Sequence, residues 1–424
     1  MARRSANTFT QCSRPEATVV RRAAPVAACS ESLYTGFMNS IARQSRIGAA
    51  RDDPDRADDG RAVPAVAIPV HAIKGRGAAE RLAHRFEKVE RAAFDDGWGT
   101  MDECSPRGPA TQATQVTPED AQSAISRNDS PDIHFDYGLN PYRGCEHGCI
   151  YCYARPTHSY LNLSPGLDFE TKIIAKTNLA QVLARELQAR SYVPRQIVIG
   201  SATDAYQPVE RELRITRSVI EVLQRCEHPL GIVTKGSGVE RDIDLLAPMA
   251  ARRLAAVYVT ITTLDGALAR ALEPRAAAPH RRLRVIRTLA DAGIPVGVSV
   301  APQIPFINDD MEQVLEAAFD AGARTAFYTV LRLPWEVNPL FQQWLDLHYP
   351  QRAGRVMARI REMRGGRDYD ADFATRMHGS GLWAQLIGQR FAKACARLGL
   401  NRERVECDTS LFRPSLLAGQ QSLF

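Results

Sequence analysis

From about residue 130 onward, short hydrophobic segments alternate with amphipathic ones along the chain. Six segments are β-branched and almost continuously apolar, as strands buried on both faces of a parallel sheet are: Ile133–Gly138, Gln196–Ser201, Leu230–Thr234, Ala256–Thr262, Val296–Ala301 and Thr325–Leu331. Between them, apolar residues recur at helical spacing, as at Leu179, Val182, Leu183 and Leu187 and at Ile215, Val219 and Leu223. The pattern predicts an α/β fold, a partial (β/α)6 TIM-type barrel, because a full eightfold barrel usually needs about 250 residues. An open doubly wound sheet is the alternative.

The segments that flank this barrel have a different character. Residues 1–72 are rich in Ala, Arg, Ser and Pro and lack an apolar period, which predicts a disordered extension, with Met38 as an alternative start. Residues 73–130 are predicted to mix helix and loop, including a helix over Ala78–Phe94. The barrel is expected over residues 131–335. A helical extension should cover 336–424, with helices over Pro339–Gly365 and Ser380–Leu398.

Composition narrows the class of protein. The 424 residues are 45% hydrophobic and 24% charged, as in ordinary soluble globular proteins. No run of about 18 apolar residues occurs, so no membrane span is expected. A net charge of +6 permits a nucleic-acid partner without requiring one. Most of the nine cysteines are scattered singly, which does not suggest a disulfide scaffold, and we expect a cytoplasmic protein.

Three cysteines lie close together with the spacing C-x3-C-x2-C, at Cys145, Cys149 and Cys152. Three thiolates can hold three irons of a [4Fe–4S] cube, and the fourth iron is then open to a non-protein ligand. The motif follows the first predicted strand, and sites in such barrels lie at the carboxyl ends of strands. Two alternatives remain open: a Cys3His zinc site that includes His147 or His158, and ordinary buried thiols.

This motif, with the aromatic Tyr151 before its third cysteine, resembles the radical S-adenosylmethionine (SAM) superfamily. The resemblance implies the partial barrel, a [4Fe–4S] cluster on the three cysteines, and SAM chelating the fourth iron. It further implies that one electron from the cluster cleaves SAM to a 5′-deoxyadenosyl radical, while the protein supplies placement and shelter. Tyr151 would pack beside the adenosyl group. An electron donor such as flavodoxin or ferredoxin is implied as a partner.

Polar residues after the second and third strands are candidates for binding SAM. Small residues in Gly200–Asp204 let a ligand approach the backbone, and Asp204 offers a carboxylate to an amine. The resemblance places the amino group of SAM here, beside Ser201, Thr203 and Asp204. Thr203 or Asp204 can equally begin a helix. Lys235 ends the third strand, where the resemblance implies a contact with SAM and a surface lysine is the alternative.

The fourth strand and the helix after it add four candidates. Thr260 and Thr262 offer hydroxyls to the ribose or the carboxylate of SAM, although Thr is also a common strand residue. Glu273 and Arg282 either hold the ribose and carboxylate of SAM or pair with each other, since Arg suits bidentate carboxylate binding.

Three segments together resemble the spore photoproduct lyase-like branch of the superfamily: Asn140–Tyr153, Thr203–Pro208 and Leu272–Leu283. That resemblance implies a lyase that repairs DNA. One departure is that Gly200–Asp204 lacks the hydrogen-donating cysteine that the spore enzyme keeps beside this loop. The alternative functions are radical modification of RNA or of a protein and, second, a non-catalytic zinc module.

The carboxyl-terminal residues resemble the peptide that bacterial proteins insert into the DNA sliding clamp. The clamp would contact Gln420, Ser422, Leu423 and Phe424. Two terminal apolar residues on a flexible tail suit docking into a preformed pocket. The alternative is that Leu423 and Phe424 pack on the barrel itself.

Overall fold

All six predicted strands are present in the structure, a computed structural model that describes residues 71–87, 113–403 and 405–418. The strands in these ranges are β1 (Gln115–Glu119), β2 (Ser126–Arg127), β3 (Tyr137–Leu139), β4 (Tyr142–Arg143), β5 (Lys172–Lys176), β6 (Ile197–Ile199), β7 (Leu230–Thr234), β8 (Ala255–Thr260), β9 (Val296–Gln303) and β10 (Thr325–Val330). The barrel strands are β3 and β6 to β10, and their apolar side chains are mostly buried, as continuous hydrophobicity predicts.

The main sheet is wound in one direction. Its strand order within the described ranges is β10-β9-β8-β7-β6-β3-β2, and every pairing from β3 to β10 is parallel. The short β2 pairs antiparallel with β3. A doubly wound sheet would reverse its order at a switch point. No reversal occurs among these described strands, so the doubly wound alternative is wrong.

The two ends of this sheet approach each other across its open side. Arg376, which follows β10, forms an ion pair of 2.8 Å with Asp132, which precedes β3. The Arg332 guanidinium, just after β10, lies 5.3 Å from the ring centre of Tyr153, in the loop after β3. These contacts require a curled sheet, and they confirm the predicted partial barrel. A separate small sheet has the order β1-β5-β4.

Helices cover the outside of the barrel. In the described residues they are α1 (Leu167–Thr171), α2 (Leu179–Leu187), α3 (Glu210–Leu213), α4 (Ile215–Arg225), α5 (Ile243–Ala251), α6 (Gly266–Leu272), α7 (Pro279–Asp291), α8 (Met311–Asp320), α9 (Val337–His348), α10 (Pro350–Met363) and α11 (Gly381–Leu398). The predicted apolar faces of α2 and α4 are buried in the core, as the helical spacing indicated. The predicted helix over Ser380–Leu398 corresponds to α11.

Two predicted elements of the barrel and its carboxyl-terminal extension differ from the structure. The first barrel strand begins at Tyr137 rather than Ile133, because turn hydrogen bonds such as that from Ile133 N to Ser130 O occupy the preceding backbone. The helix predicted over Pro339–Gly365 is two helices, α9 and α10. They break at Pro350, which has no N–H to donate and restrains the residue before it.

The amino-terminal segment is described only in part. Residues 71–87 form turns rather than the first part of the helix predicted over Ala78–Phe94, and residues 88–94 lie outside the described residues. The backbone N–H groups of Gly77 and Ala78 donate to the Glu170 carboxylate. The predicted disordered extension, up to residue 70, and Met38 lie outside the described residues, as does the tail Gln420–Phe424. Within the described ranges, no helix is long and apolar enough to cross a bilayer.

Candidate active site

One cavity opens at the carboxyl ends of the barrel strands, with an empty volume of about 850 Å³ including its mouth. Loops after successive strands supply its wall, as expected for a barrel of this type. Of the predicted site residues, those that line it are Cys145, Cys149, Tyr151, Cys152, Ser201, Asp204, Lys235 and Thr260. Those that do not are Thr203, Thr262, Glu273 and Arg282. Eight of the twelve predicted site residues therefore line one cavity.

The loop that carries the three cysteines is fixed along its backbone. Cys145 N donates to Phe169 O at 2.9 Å, and Ile150 N donates to Leu272 O at 3.1 Å. Inside the loop, the fully buried Arg155 donates to the carbonyl oxygens of Gly148 and Cys149, and it also pairs with Glu170. These bonds fix the backbone that carries the three thiols.

A second loop covers the cysteine loop from outside. Gly77 approaches so closely that a Cβ there would lie 1.8 Å from the carbonyl oxygen of Gly148. Gly148 itself has φ of +68°, a conformation that favours glycine. The Glu170 carboxylate accepts the N–H of Gly77 and pairs with Arg155, so one buried acid ties both loops together. Nothing in the sequence indicated this role for Glu170.

The three thiols are unpaired and enclosed. Cys145 and Cys149 are buried and Cys152 is partly buried, and none forms a disulfide. Burial raises the pKa of all three thiols, that of Cys149 to about 12, although the Lys235 charge opposes the shift at Cys149 and Cys152. A site that disfavours isolated thiolates this strongly suits a cationic metal group, which deprotonates its thiol ligands outright. The donor set therefore fits an iron–sulfur cluster.

The geometry also bears on the zinc alternative. Within the described ranges, no three His, Cys, Asp or Glu side chains converge on one metal position. A four-iron cube binds each thiolate at a separate iron and does not require that convergence. The two histidines proposed for zinc contact other groups: His147 Nδ1 lies 3.3 Å from Asp204 Oδ2, and His158 Nε2 is 3.0 Å from Lys172 O.

Asp204 is a largely enclosed, ionised carboxylate in the loop after β6, with 9% of its side chain exposed. Its oxygens accept hydrogen bonds from Tyr206 N, from the Thr234 hydroxyl and from Lys235 N. His147 Nδ1 lies within ion-pair distance but lacks hydrogen-bond alignment. Burial favours a higher pKa for Asp204, but the His147 charge and the hydrogen bonds outweigh it and hold that pKa well below its usual range. The carboxylate is thus available to a cationic amine in the cavity.

The loop after β6 enters the cavity at Gly200, a position that requires glycine. Gly200 has φ of +84°, and a Cβ there would lie 2.5 Å from Val233 O. Asn140 then orders the loop: its Oδ1 accepts Ala202 N and Thr203 N, at 2.9 and 3.2 Å. Ser201 lines the cavity, whereas the Thr203 hydroxyl donates to Tyr142 O and points away from it. Neither Thr203 nor Asp204 caps an α-helix in the structure.

Behind the cavity wall lies a closed polar network. The Tyr151 and Thr262 hydroxyls both donate to Glu273 Oε1, while Arg282 pairs with Glu273 Oε2. Burial would raise the pKa of Glu273, but the charges of Arg282 and Lys235 lower it to about 2. Glu273 and Arg282 therefore pair with each other, which was one of the two predicted arrangements.

The sequence did not identify Arg332, which lines the cavity from the loop after β10. The residue is buried, with 6% of its surface exposed, and among the described residues its Nε and Nη2 have no hydrogen-bond partner. An arginine in the segment Leu331-Arg-Leu-Pro334 carries no local signal of this placement. Tyr153, Ser299, Phe327 and Thr329 also line the cavity and were not predicted.

Comparison with known proteins identifies the family. Residues 139–318 match the Radical SAM superfamily model. Uncharacterised proteins of Mycobacterium tuberculosis and Mycobacterium bovis are each 36% identical over 234 residues, covering 54% of this chain and 68% of theirs. An uncharacterised protein of Methanocaldococcus jannaschii is 27% identical over 215 residues, covering 51% of this chain and 77% of its own.

Among solved structures, a variant of spore photoproduct lyase aligns with a TM-score of 0.46 at 16% identity, covering 67% of this chain and 80% of that one. The family itself implies a [4Fe–4S] cluster and SAM as cofactors, and the unpaired thiols, the cavity and Asp204 fit both. The chain belongs to the radical SAM superfamily.

Proposed function

We propose that Cys145, Cys149 and Cys152 hold the [4Fe–4S] cluster of this radical SAM enzyme and that its substrate is a lesion in DNA. The observation that carries the proposal is that three unpaired thiols of one fixed loop share a cavity with the largely enclosed carboxylate of Asp204 and with Lys235. When bound, the cluster supplies the electron that cleaves SAM to a 5′-deoxyadenosyl radical.

The residues around the thiols divide the binding of SAM among them. Asp204, ionised and enclosed, accepts the methionine ammonium group, and Lys235 at the next strand end attracts the carboxylate. Ser201 and Thr260 offer hydroxyls from the wall of the cavity. Tyr151 presents its ring to the cofactor while its hydroxyl is held by Glu273.

The four predicted residues outside the cavity act as positioning residues. Thr203 fixes the loop after β6 through the hydrogen bond from its hydroxyl to Tyr142 O. Thr262, Glu273 and Arg282 set the position of Tyr151, because Glu273 joins all three in one network. Their effect on SAM is therefore transmitted through neighbouring groups.

A basic and aromatic surface supports a nucleic-acid substrate. Arg355 lies 3.8 Å from the ring centre of Phe306, and Arg359 lies 4.5 Å from that of Trp383. Guanidinium groups on aromatic rings suit phosphates and stacked bases. Trp335, half exposed after β10, adds a further ring.

The structure also bears on the source of a hydrogen atom. Among the described residues that line the cavity, the only thiols are those of the three proposed cluster ligands. The described Cys226 and Cys395 are buried in the hydrophobic core, and Cys407 contacts Gln196. This arrangement favours a reaction that differs from that of the spore enzyme in its hydrogen donor. Because oxidation of the thiols would compete with iron, the enzyme should work in a reducing cytoplasm, with flavodoxin or ferredoxin as a donor.

Replacing any one of the three proposed ligands by Ala tests the cluster assignment. After anaerobic reconstitution we expect iron to fall well below about four per chain, and SAM cleavage to fall by at least about 10³-fold, because the cube loses a protein ligand. Cys407→Ala, outside the cavity, should keep both properties. Undiminished SAM cleavage in all three ligand variants would refute the assignment.

Substrate class is tested separately on the reconstituted enzyme. SAM cleavage should rise when ultraviolet-irradiated DNA is added and should not respond to bulk RNA or unrelated protein. Stimulation by RNA or by a protein instead would move the substrate to the alternative class while leaving the cluster assignment intact. Pull-down of the sliding clamp with and without Gln420–Phe424 tests the predicted tail contact.

A further inference from the structure

Arg332 has the features of an arginine that binds a ligand. It lies just after β10, lines the cavity and is 6% exposed. Its Nη1 has one weak contact, 3.5 Å to the Met377 sulfur. Its Nε and Nη2 have no partner in the part of the chain that the structure describes. Leaving buried charged donors unpaired costs free energy, so such a group calls for an explanation.

The two unpartnered atoms form one edge of the guanidinium. The N–H groups of Nε and Nη2 point the same way, and this fork matches two oxygens of a phosphate or carboxylate. A lysine at the same position would supply charge without the paired geometry. This edge is therefore suited to bidentate binding of an oxyanion. Both nitrogens are enclosed in this structure, so the side chain must turn for the edge to meet a molecule in the cavity.

The surroundings hold Arg332 in place without neutralising it. Its guanidinium lies 5.3 Å from the Tyr153 ring centre, and Arg364 Nη2 fixes the preceding residue by donating to Leu331 O at 2.8 Å. Burial and the Arg332 charge lower the pKa of Arg364 to about 10. Arg376, also near, is neutralised by Asp132. The net effect is an excess of buried positive charge on this side of the cavity.

The other cation that lines the cavity serves a different region. Lys235 Nζ lies 5.9 Å from the ring centre of Tyr151, and its backbone N–H donates to Asp204 Oδ2. Lys235 thus lies beside the expected SAM position. We therefore expect Arg332 to bind a different anion. The carboxylate of SAM is the competing ligand for Arg332, and a measurement of SAM affinity in an Arg332 variant distinguishes it from a substrate phosphate.

We propose that Arg332 binds a phosphate group of the substrate through its Nε and Nη2 fork and thereby orients the substrate in the cavity. This inference rests on the proposed function, since a phosphate next to the reacting unit is what a nucleic-acid substrate brings into such a site. Arg332 is then a specificity-determining residue at the end of the last barrel strand.

The test uses the full chain with iron and SAM under anaerobic conditions and two thymidine dinucleotides. One is joined by a phosphodiester and the other by a neutral methylphosphonate. We expect wild-type protein to bind the phosphodiester form about tenfold more tightly. Arg332→Gln should abolish this preference, and Arg332→Lys should restore only part of it. Arg397→Gln, an exposed arginine paired with Glu316, should keep the full preference.

Two measurements keep this inference separate from the DNA proposal. SAM affinity should be the same in wild type and Arg332→Gln, and a preference retained by Arg332→Gln or a matching loss of SAM affinity would overturn the assignment. If wild type binds neither dinucleotide, inorganic phosphate is titrated instead. Phosphate binding that requires Arg332 then supports the site while the DNA proposal fails, and phosphate binding independent of Arg332 overturns the site.

Discussion

Arg282 and Arg332 are both buried arginines at the carboxyl end of the barrel, yet their environments are opposite. Arg282 uses every edge: Nη2 pairs with Glu273, Nη1 donates to Thr260 O at 2.9 Å, and Nε donates to Ala277 O at 2.6 Å. In the described part of the chain, Nε and Nη2 of Arg332 have no hydrogen-bond partners. The fold supplies partners for every nitrogen of Arg282, whereas the partner that we propose for Arg332 is a phosphate group of the substrate.

This difference separates a structural arginine from a binding one. A buried ion pair is costly to break, because removing one partner leaves an uncompensated charge. An unpaired buried cation already carries that cost in the unliganded protein and is stabilised by an anion that binds. The two positions should therefore respond to the same substitution with opposite signs.

The largest effect is expected for Arg282→Met. We predict that the free energy of unfolding falls by about 3–5 kcal/mol, because Glu273 becomes an unpaired buried carboxylate. Urea unfolding followed by circular dichroism measures it. The double variant Arg282→Met/Glu273→Leu should recover most of the loss, since both charges are then gone. If Arg282→Met alone lowered the free energy of unfolding by less than about 1 kcal/mol, the ion pair with Glu273 would not stabilise the fold as we predict.

A smaller effect is expected from pH, acting on the same ion pair. The pKa of Glu273 is lowered to about 2 in the fold, against an ordinary value of 4.5. A carboxyl group with a lowered folded pKa stabilises fully above its unfolded pKa and loses that stabilisation as pH falls through the folded pKa. The stability difference between wild type and Glu273→Gln should therefore shrink by about 3 kcal/mol between pH 4.5 and pH 2. A difference that is constant over this window would show that Glu273 is not ionised by Arg282.

The contrast also shows what the sequence could predict. Local hydrophobic runs predicted the barrel strands, and the C-x3-C-x2-C spacing predicted the cysteine site, because both signals lie in adjacent residues. Glu273 and Arg282 are nine residues apart around one helix start, and their pairing was one of two expected arrangements. Arg332 depends on the closure of the barrel, which brings the last strand opposite Tyr153. Whether the Arg332 guanidinium has hydrogen-bond partners depends on residues that are distant in the sequence, so the residues next to it give no signal.

The break between α9 and α10 illustrates the same point at the level of helices. Apolar periodicity continues through Tyr349 and Pro350, and the pattern alone predicted one helix. Pro350 was the local signal, and its missing N–H outweighs the periodicity. The docking of residues 74–80 on the cysteine loop had no such signal, because Glu170 lies far along the chain from Gly77.

The smallest expected effect is the one that divides the two arginines most clearly. In protein without SAM or substrate, Arg332→Met should raise the free energy of unfolding by about 1 kcal/mol, because it removes an unpaired guanidinium beside Arg364 and Arg376. The urea experiment used for Arg282→Met measures it, and Arg397→Met at the surface should shift stability by no more than about 0.5 kcal/mol. A loss of several kcal/mol would mean that Arg332 supports the fold. A gain in stability together with lost substrate binding is the result expected when a protein keeps a destabilising group for its function.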